Sequence, residues 1–243
     1  MNSEELTMMP ACDVLAFGAH PDDVEIACGG AILLLQQAGM KVAVVDCTRG
    51  EMGSSGTREE RGREAAAASK KLGLAARSNL GLADTGIRDD DHATELAVTA
   101  IRAVRPLVLF IPHDRDAHPD HTNASNLLRR AHFVSGLKNF QPQLGAPHRA
   151  TTTLRYPGNQ LVEPTVVVDI STVADQKLEA VTCYSSQLAP PDTSHLVQGL
   201  DLLERTIVRQ RAMGATIAAA AGEGFCHEGP VRITDVGLLL PKS

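Results

Sequence analysis

The hydrophobic positions of the chain fall into two alternating patterns. Short apolar runs such as Val14 to Phe17 and Val42 to Cys47 are rich in β-branched residues and predict buried strands. Between them, apolar residues recur with helical spacing from about Glu25 to Ala38, and Gly39 is placed to terminate that helix. This alternation is the signature of βαβ units, in which helices cover both faces of a parallel sheet.

The same alternation continues through the first half of the chain. Thr57 and Glu60 have the spacing of a capping box, which predicts a helix that runs to Leu72 and ends before Gly73. The later elements of this half are a third strand near Ser78 to Leu80, a helix from Thr94 to about Val104, a fourth strand from Leu107 to Ile111 and a helix from about Thr122 to Val134.

The second half carries weaker patterns. They predict strands at Thr151 to Leu154 and Thr165 to Ile170, and helices at Asp175 to Ser185 and Leu196 to Ala220. No internal repeat or linker divides the chain, and 243 residues suit one large domain. We therefore predict a single Rossmann-like α/β domain spanning residues 1–243, with a mostly parallel sheet and the strand order 3-2-1-4 in its first half.

Composition and charge exclude several functions. A net charge of -6 with no basic stripe argues against binding to nucleic acid. The longest apolar stretches are well short of the roughly 20 residues that span a bilayer, so we expect no membrane segment. The N-terminus lacks the pattern of a signal peptide, and the five widely spaced cysteines suggest reduced thiols. We expect a cytoplasmic protein.

Two similar polar motifs carry the candidate chemistry. "AHPDD" follows the first strand and "HDRDAHPDH" follows the fourth, and strands one and four are neighbours in the predicted order. Either motif alone is explained equally well as a helix cap. Their His-Pro-Asp parts bring three histidines and three aspartates to the switch point of the sheet, which favours a metal site with imidazole and carboxylate ligands. These residues are His20, His118, His121, Asp22, Asp23 and Asp120. Asp22 and Asp23 are adjacent, so one can bind metal while the other faces a bound water.

The motifs resemble those of a known family. "AHPDDVEIACGG" with "AHPDH" is similar to the PIG-L/LmbE-like zinc-dependent N-acetylglucosamine deacetylases. The segments "GTREERGREAAAASKKLG", "RSNLGLADTGI", "YSSQ" and "GEGF" resemble the branch that deacetylates N-acetylglucosaminyl malate in bacillithiol synthesis. The resemblance covers most of the chain. It implies hydrolysis of an acetamide to acetate and a free amine.

The resemblance also implies a role for each polar residue of the site. By motif, the zinc ligands are His20, Asp23 and His121, the general base is Asp22, and a protonated His118, oriented by Asp120, stabilises the oxyanion. The same three ligands would also hold Fe(II). Either Asp22 or His118 would protonate the departing amine.

The substrate side is less defined by the motifs. The resemblance implies that Arg61 and Asp84 hold the sugar, and that the protein forms a homo-oligomer, either a trimer or a hexamer. Several relatives that it resembles carry a basic residue where this chain has Ala117, which leaves the aglycone open. Aromatic residues make up only 3% of the chain, which favours a compact acetamido sugar over a polymer.

Other functions remain open at this stage. Within the resemblance they are thiol-conjugate amidases and deacetylases of diacetylchitobiose or antibiotics. From another reaction class, His20-Pro21-Asp22 with a distant histidine also fits a non-haem Fe(II) oxygenase, although such sites usually lie in strand-rich barrels. A carbohydrate-binding protein without catalysis would need the sugar contacts but no base. A dinucleotide enzyme fits worse, because the required glycine spacing does not follow Gly18.

Overall fold

Strands and helices alternate along the first half of the chain, as the hydrophobic pattern predicts. The computed structural model describes residues 3–188 and 201–230. The strands are β1 (Val14–Gly18), β2 (Val42–Asp46), β3 (Ala76–Asn79), β4 (Val108–Pro112), β5 (Thr152–Tyr156), β6 (Val166–Asp169) and β7 (Gly222–His227). The helices are α1 (Ser3–Thr7), α2 (Asp23–Gln37), α3 (Arg58–Leu72), α4 (Asp91–Val104), α5 (Pro119–Ser135), α6 (Ala174–Val181), α7 (Ser185–Leu188) and α8 (Leu202–Ala215).

These strands form one sheet in the order β3-β2-β1-β4-β5-β7-β6, which confirms the predicted order 3-2-1-4. β1 pairs in parallel with both β2 and β4, and β5 continues the parallel arrangement beyond β4. β7 pairs antiparallel with β5 and with β6. The sheet is therefore mostly parallel, and the C-terminal ends of β1 and β4 lie side by side.

The core has two layers, one on each face of the sheet. Alternate residues of β1 divide between them: Leu15 and Phe17 pack with α1, α4 and α5, whereas Val14 and Ala16 pack with α2 and α6. Because both faces are covered, the central strands are apolar throughout rather than alternating, which explains the continuous hydrophobic runs in the sequence.

Several local predictions are confirmed at the ends of α3. The Glu60 amide donates to Thr57 Oγ1 at 3.2 Å, and the Thr57 amide donates to Glu60 Oε2 at 2.8 Å, which completes the capping box. Gly73 then ends the helix with a φ of 68°, a left-handed conformation that glycine adopts readily. Local signals of this kind act over three or four residues, so the sequence alone contains them.

The C-terminal part differs more from the predictions. The helix predicted at Asp175 to Ser185 is the shorter α6, which ends at Val181, and α7 begins only at Ser185. The one predicted at Leu196 to Ala220 is the shorter α8, and residues 196–200 lie outside the described residues. The "GEGF" segment, assigned no secondary structure from the sequence, begins β7. Within residues 3–188 and 201–230, no helix is long and apolar enough to cross a membrane.

Candidate metal and catalytic site

The loops that follow β1 and β4 meet at the C-terminal edge of the sheet. The ring of His20 in the first loop lies 4.8 Å from the ring of His118 in the second, measured between centroids. His118 and His121 stack with centroids 5.1 Å apart. The structure therefore brings together the two motifs that the strand order predicts to converge.

One cluster of potential metal ligands joins both motifs. Donor atoms of His20, Asp23 and His121 all lie within 4.8 Å of one another. Asp23 is central to the cluster, because its Oδ1 lies 3.3 Å from His121 Nε2 while its Oδ2 accepts a 2.8 Å hydrogen bond from the His20 amide. The three side chains are at most 12% exposed.

The donor set fits a zinc ion. Two imidazoles and one carboxylate leave a fourth position for water, and bonds of about 2.0–2.1 Å in a tetrahedral site place ligand atoms about 3.3 Å apart, which is close to the Asp23–His121 separation. His20 Nε2 is buried without a well-aligned hydrogen bond among the described residues, although two carboxylate oxygens lie near it. Burial would lower the pKa of His121, but Asp23 and Asp116 raise it to about 10. The local excess of carboxylate is what a divalent cation would neutralise.

A second group shares His20. Donor atoms of His20, His118 and Asp120 also lie within 4.8 Å of one another. Two carboxylates face His20 Nε2, Asp84 Oδ1 at 3.1 Å and Asp120 Oδ2 at 3.4 Å. His20 thus connects the candidate metal cluster to the carboxylates of Asp84 and Asp120.

Asp22 has an unusual backbone and a perturbed side chain. It precedes α2 with a φ of 115°, a region that residues other than glycine rarely adopt, and its side chain caps no helix amide. Burial raises the pKa of its carboxyl to about 7, although the Arg61 guanidinium, 3.2 Å away, opposes the shift. Asp22 can therefore exchange a proton near neutral pH.

His118 differs from expectation in its protonation and in its partner. As the N-cap of α5, its Nδ1 accepts a hydrogen bond from the Asp120 amide at 3.2 Å, so the ring carries its proton on Nε2. Burial and the neighbouring His20 and His121 lower the pKa of His118, which favours the neutral form. The Asp120 carboxylate accepts instead from the Thr85 amide at 2.7 Å. Asp120 orients the ring through its backbone, because capping directs the amide and not the carboxylate toward Nδ1.

Arg61 and Asp84 both lie in the site. Arg61 is 4% exposed and also donates to the Pro21 carbonyl, so its guanidinium holds the loop that carries Asp22. Asp84 is 8% exposed and accepts a 2.8 Å hydrogen bond from the Met52 amide, which fixes the glycine-rich loop after β2 against the site. Both residues engage groups of the predicted active site in addition to any substrate contact.

Sequence reasoning assigned no role to Asp116. Its Oδ2 lies 3.2 Å from His121 Nδ1, and its side chain is fully buried. The sequence did contain a signal for this residue, because Asp116 stands two positions before His118 in "DRDAHPDH", within the second polar motif. Sequence reasoning also missed Arg77, whose side chain is 10% exposed and which pairs with Asp46 at 2.8 Å and with Glu25 at 2.5 Å.

A doubly wound α/β fold with clustered imidazole and carboxylate side chains at its switch point suits metal-dependent hydrolysis. The family model described as PIG-L, GlcNAc-PI de-N-acetylase, matches residues 15–132, which include both motifs. The chain is 32% identical over 198 residues to diacetylchitobiose deacetylase of Thermococcus kodakarensis, covering 75% of this chain and 72% of that protein. The chain belongs to this PIG-L, or LmbE-like, family of deacetylases.

Two further proteins are similar to this chain over most of its length. The chain is 31% identical over 200 residues to the probable N-acetyl-alpha-D-glucosaminyl L-malate deacetylase 2 of Bacillus cereus, covering 72% of this chain and 83% of that protein. The crystal structure of the conserved protein TT1542 from Thermus thermophilus superimposes with a TM-score of 0.82 at 36% identity, over 92% of this chain and 97% of that chain. The oxygenase alternative is not supported.

Proposed function

We propose that this protein is a zinc-dependent N-deacetylase that hydrolyses the acetamide of a small N-acetylglucosamine conjugate. Water and the amide are consumed, and acetate and a free amine are released. The observation that carries the proposal is the cluster of His20, Asp23 and His121 with Asp22 beside it at the switch point. A non-catalytic carbohydrate-binding protein would have no use for the buried, shifted carboxyl of Asp22.

His20, Asp23 and His121 would hold the zinc ion, and the same ligands suit Fe(II). When bound there, zinc would lower the pKa of water from about 15.7 to about 7 and would polarise the acetyl carbonyl. Asp22 then accepts the proton of the attacking water. Because burial raises the pKa of Asp22 to about 7, the carboxyl can both take and return a proton near neutral pH.

His118 supports the developing negative charge on the acetyl oxygen. Its Nδ1 is occupied by the Asp120 amide, so its Nε2–H is the donor available to an oxyanion. Since that proton is engaged by the oxyanion, the proton that the departing amine needs comes from Asp22, which has just accepted one. We therefore assign both proton transfers to Asp22 and the electrostatic role to His118, positioned by Asp120.

For the substrate, we propose N-acetylglucosaminyl malate, with Arg61 and Asp84 at the sugar. The Bacillus cereus relative and the segments "YSSQ" and "GEGF" support this choice, whereas the Thermococcus relative supports diacetylchitobiose as the alternative. Five cysteines without a disulfide support a reducing, cytoplasmic location. A homo-oligomer, trimeric or hexameric, completes the proposal.

Acetate release tests the proposal directly. The protein is stripped with a chelator, reloaded with zinc, and incubated separately with N-acetylglucosaminyl malate, diacetylchitobiose and N-acetylglucosamine. We expect the malate conjugate to be cleaved with the highest kcat/KM, and the stripped protein to be inactive. Faster cleavage of diacetylchitobiose would reassign the substrate, and no acetate from any of the three would refute an N-acetylglucosamine deacetylase.

A further inference from the structure

We propose that Asp116 is a positioning residue for the metal ligand His121, and that Arg209 of α8 holds Asp116 in place through residues Gly158 and Asn159. The inference rests on the proposed function, because it takes His121 as a ligand. It adds a connection from a helix outside the motif loops to the metal centre.

The first step is the contact between Asp116 and His121. Asp116 Oδ2 lies 3.2 Å from His121 Nδ1, on the opposite side of the ring from Nε2, which faces Asp23. A carboxylate beside the distal nitrogen of a metal-binding imidazole fixes the tautomer and the ring orientation. Here the proton would sit on Nδ1, which leaves the Nε2 lone pair for the metal.

The second step is how Asp116 itself is held. Its Oδ1 accepts from the His118 amide at 2.7 Å, and its Oδ2 accepts from the Asn159 amide at 2.6 Å. The Asn159 side-chain amide adds a further hydrogen bond to Oδ1 at 3.3 Å. With both oxygens engaged and the side chain fully buried, the carboxylate has one orientation toward His121.

Gly158 brings the loop after β5 directly over this pair. A Cβ atom at position 158 would lie 2.4 Å from Asp116 Oδ2 and 2.4 Å from His121 Nδ1, closer than any side chain can approach. Glycine therefore allows the backbone to cover the contact between the two residues. Covering it excludes water, which would otherwise compete for the carboxylate.

The third step links this loop to α8. The Arg209 guanidinium donates from Nη1 to the Gly158 carbonyl and from Nη2 to the Asn159 carbonyl. Arg205, one turn earlier, donates to Asn159 Oδ1 at 3.1 Å. One planar guanidinium thus fixes two consecutive carbonyls, and the contacts run from α8 through the loop to Asp116 and then to His121.

Metal affinity tests the role of Asp116. Asp116→Asn is compared with Asp114→Asn, a matched loss of charge at a residue that pairs with Arg155 at 2.9 Å. Zinc affinity is measured by chelator competition, and the visible spectrum is recorded for the Co(II)-substituted proteins. We expect Asp116→Asn to weaken zinc binding by about 10- to 100-fold and to change the spectrum, the usual result of losing such a partner. Unchanged affinity and spectrum would overturn the proposal.

A variant of Arg209 provides a second test, which can be used even if Asp116→Asn does not fold. Arg209→Gln is compared with Arg211→Gln, which lies exposed on the same helix. We expect Arg209→Gln to weaken zinc binding by about 10-fold, the lower end of the same range, with Arg211→Gln unchanged. Equal zinc affinities for the two variants would show that α8 does not help to position His121. A wild-type protein that binds zinc tightly but releases no acetate would refute the proposed function and leave this inference standing.

Discussion

The sequence His-Pro-Asp occurs twice in the site, and the two copies fold differently. In the first, Pro21 precedes the helix by two residues, Asp22 is the N-cap, and α2 begins at Asp23. In the second, the histidine is the N-cap, and α5 begins at the proline itself. The helix therefore starts two residues earlier in the second copy than in the first.

This shift changes what each side chain can reach. In the first copy, the ring of His20 joins the cluster around Asp23, and the strained Asp22 points toward Arg61. In the second, His118 is held by the helix that it caps, and Asp120 lies in the first turn with its carboxylate on the Thr85 amide. Under the proposed function, identical tripeptides would thus supply a ligand and a base in one loop, and an oxyanion partner in the other.

The largest expected difference is between the two histidines. His20→Ala removes a proposed ligand, so we expect it to abolish both zinc binding and turnover. His118→Ala leaves all three proposed ligands in place and should keep zinc while losing about 10²- to 10³-fold in kcat, the usual effect of losing an oxyanion donor. Metal content by atomic emission, together with acetate release, distinguishes the two variants. Loss of zinc in His118→Ala would contradict the assignment.

The two aspartates should differ by a smaller factor. Asp22→Asn removes the proposed base and should lower kcat by about 10²- to 10⁴-fold while zinc stays bound. Asp120→Asn keeps the backbone amide that orients His118, so we expect a loss of about 10-fold, the low end of the effect of losing a partner of a ligand. Steady-state kinetics on zinc-loaded proteins measure both. Equal losses would mean that the two carboxylates act as one unit.

Substitution of Arg61 tests whether its guanidinium serves mainly to hold Asp22 or mainly to bind the sugar. Hydrogen bonds to charged groups contribute about 1.5–3 kcal/mol, so losing the contact to Asp22 in Arg61→Lys should cost about 10- to 100-fold. If Arg61 mainly holds Asp22, kcat falls and KM is unchanged. A rise in KM with an unchanged kcat would show instead that its main contact is with the substrate. Arg63→Lys, at an exposed position of the same helix, is the control.

The smallest expected effect is that of replacing the proline, and it should be the same in both copies. Proline stabilises chiefly by restricting the unfolded chain, so Pro21→Ala and Pro119→Ala should each reduce the free energy of unfolding by about 0.4–1 kcal/mol. Urea denaturation in the presence of a chelator measures this without a contribution from metal binding. A much larger loss at Pro119 alone would show that its place as the first residue of α5 matters more than chain entropy.

Several elements could be predicted from the sequence because their signals are local. The apolar runs of β1 and β4, the capping box at Thr57 and the terminating Gly73 each depend on residues within one or two turns. The predicted strand order then placed both His-Pro-Asp loops at one edge, and the structure confirms that arrangement. The choice of His20, Asp23 and His121 as ligands came instead from the family resemblance, and the structure places their donor atoms within 4.8 Å of one another.

Other features depend on contacts between distant parts of the chain. The short, glycine-rich β7 has little strand signal of its own and is fixed by pairing with β5 and β6. The Thr85 amide that accommodates Asp120, and the Arg209 guanidinium behind residues 158 and 159, come from segments that no local pattern connects to the motifs.

By itself, the sequence determined which polar residues leave the sheet at its C-terminal edge, because hydrophobic periodicity and helix caps act over a few residues. Only the tertiary structure decided which atom each of them faces. The start of a helix differs by two residues between the two copies, and hydrogen-bond partners are chosen by packing across the fold. For that reason His20 joins the candidate metal cluster, whereas His118, in the same tripeptide, caps a helix.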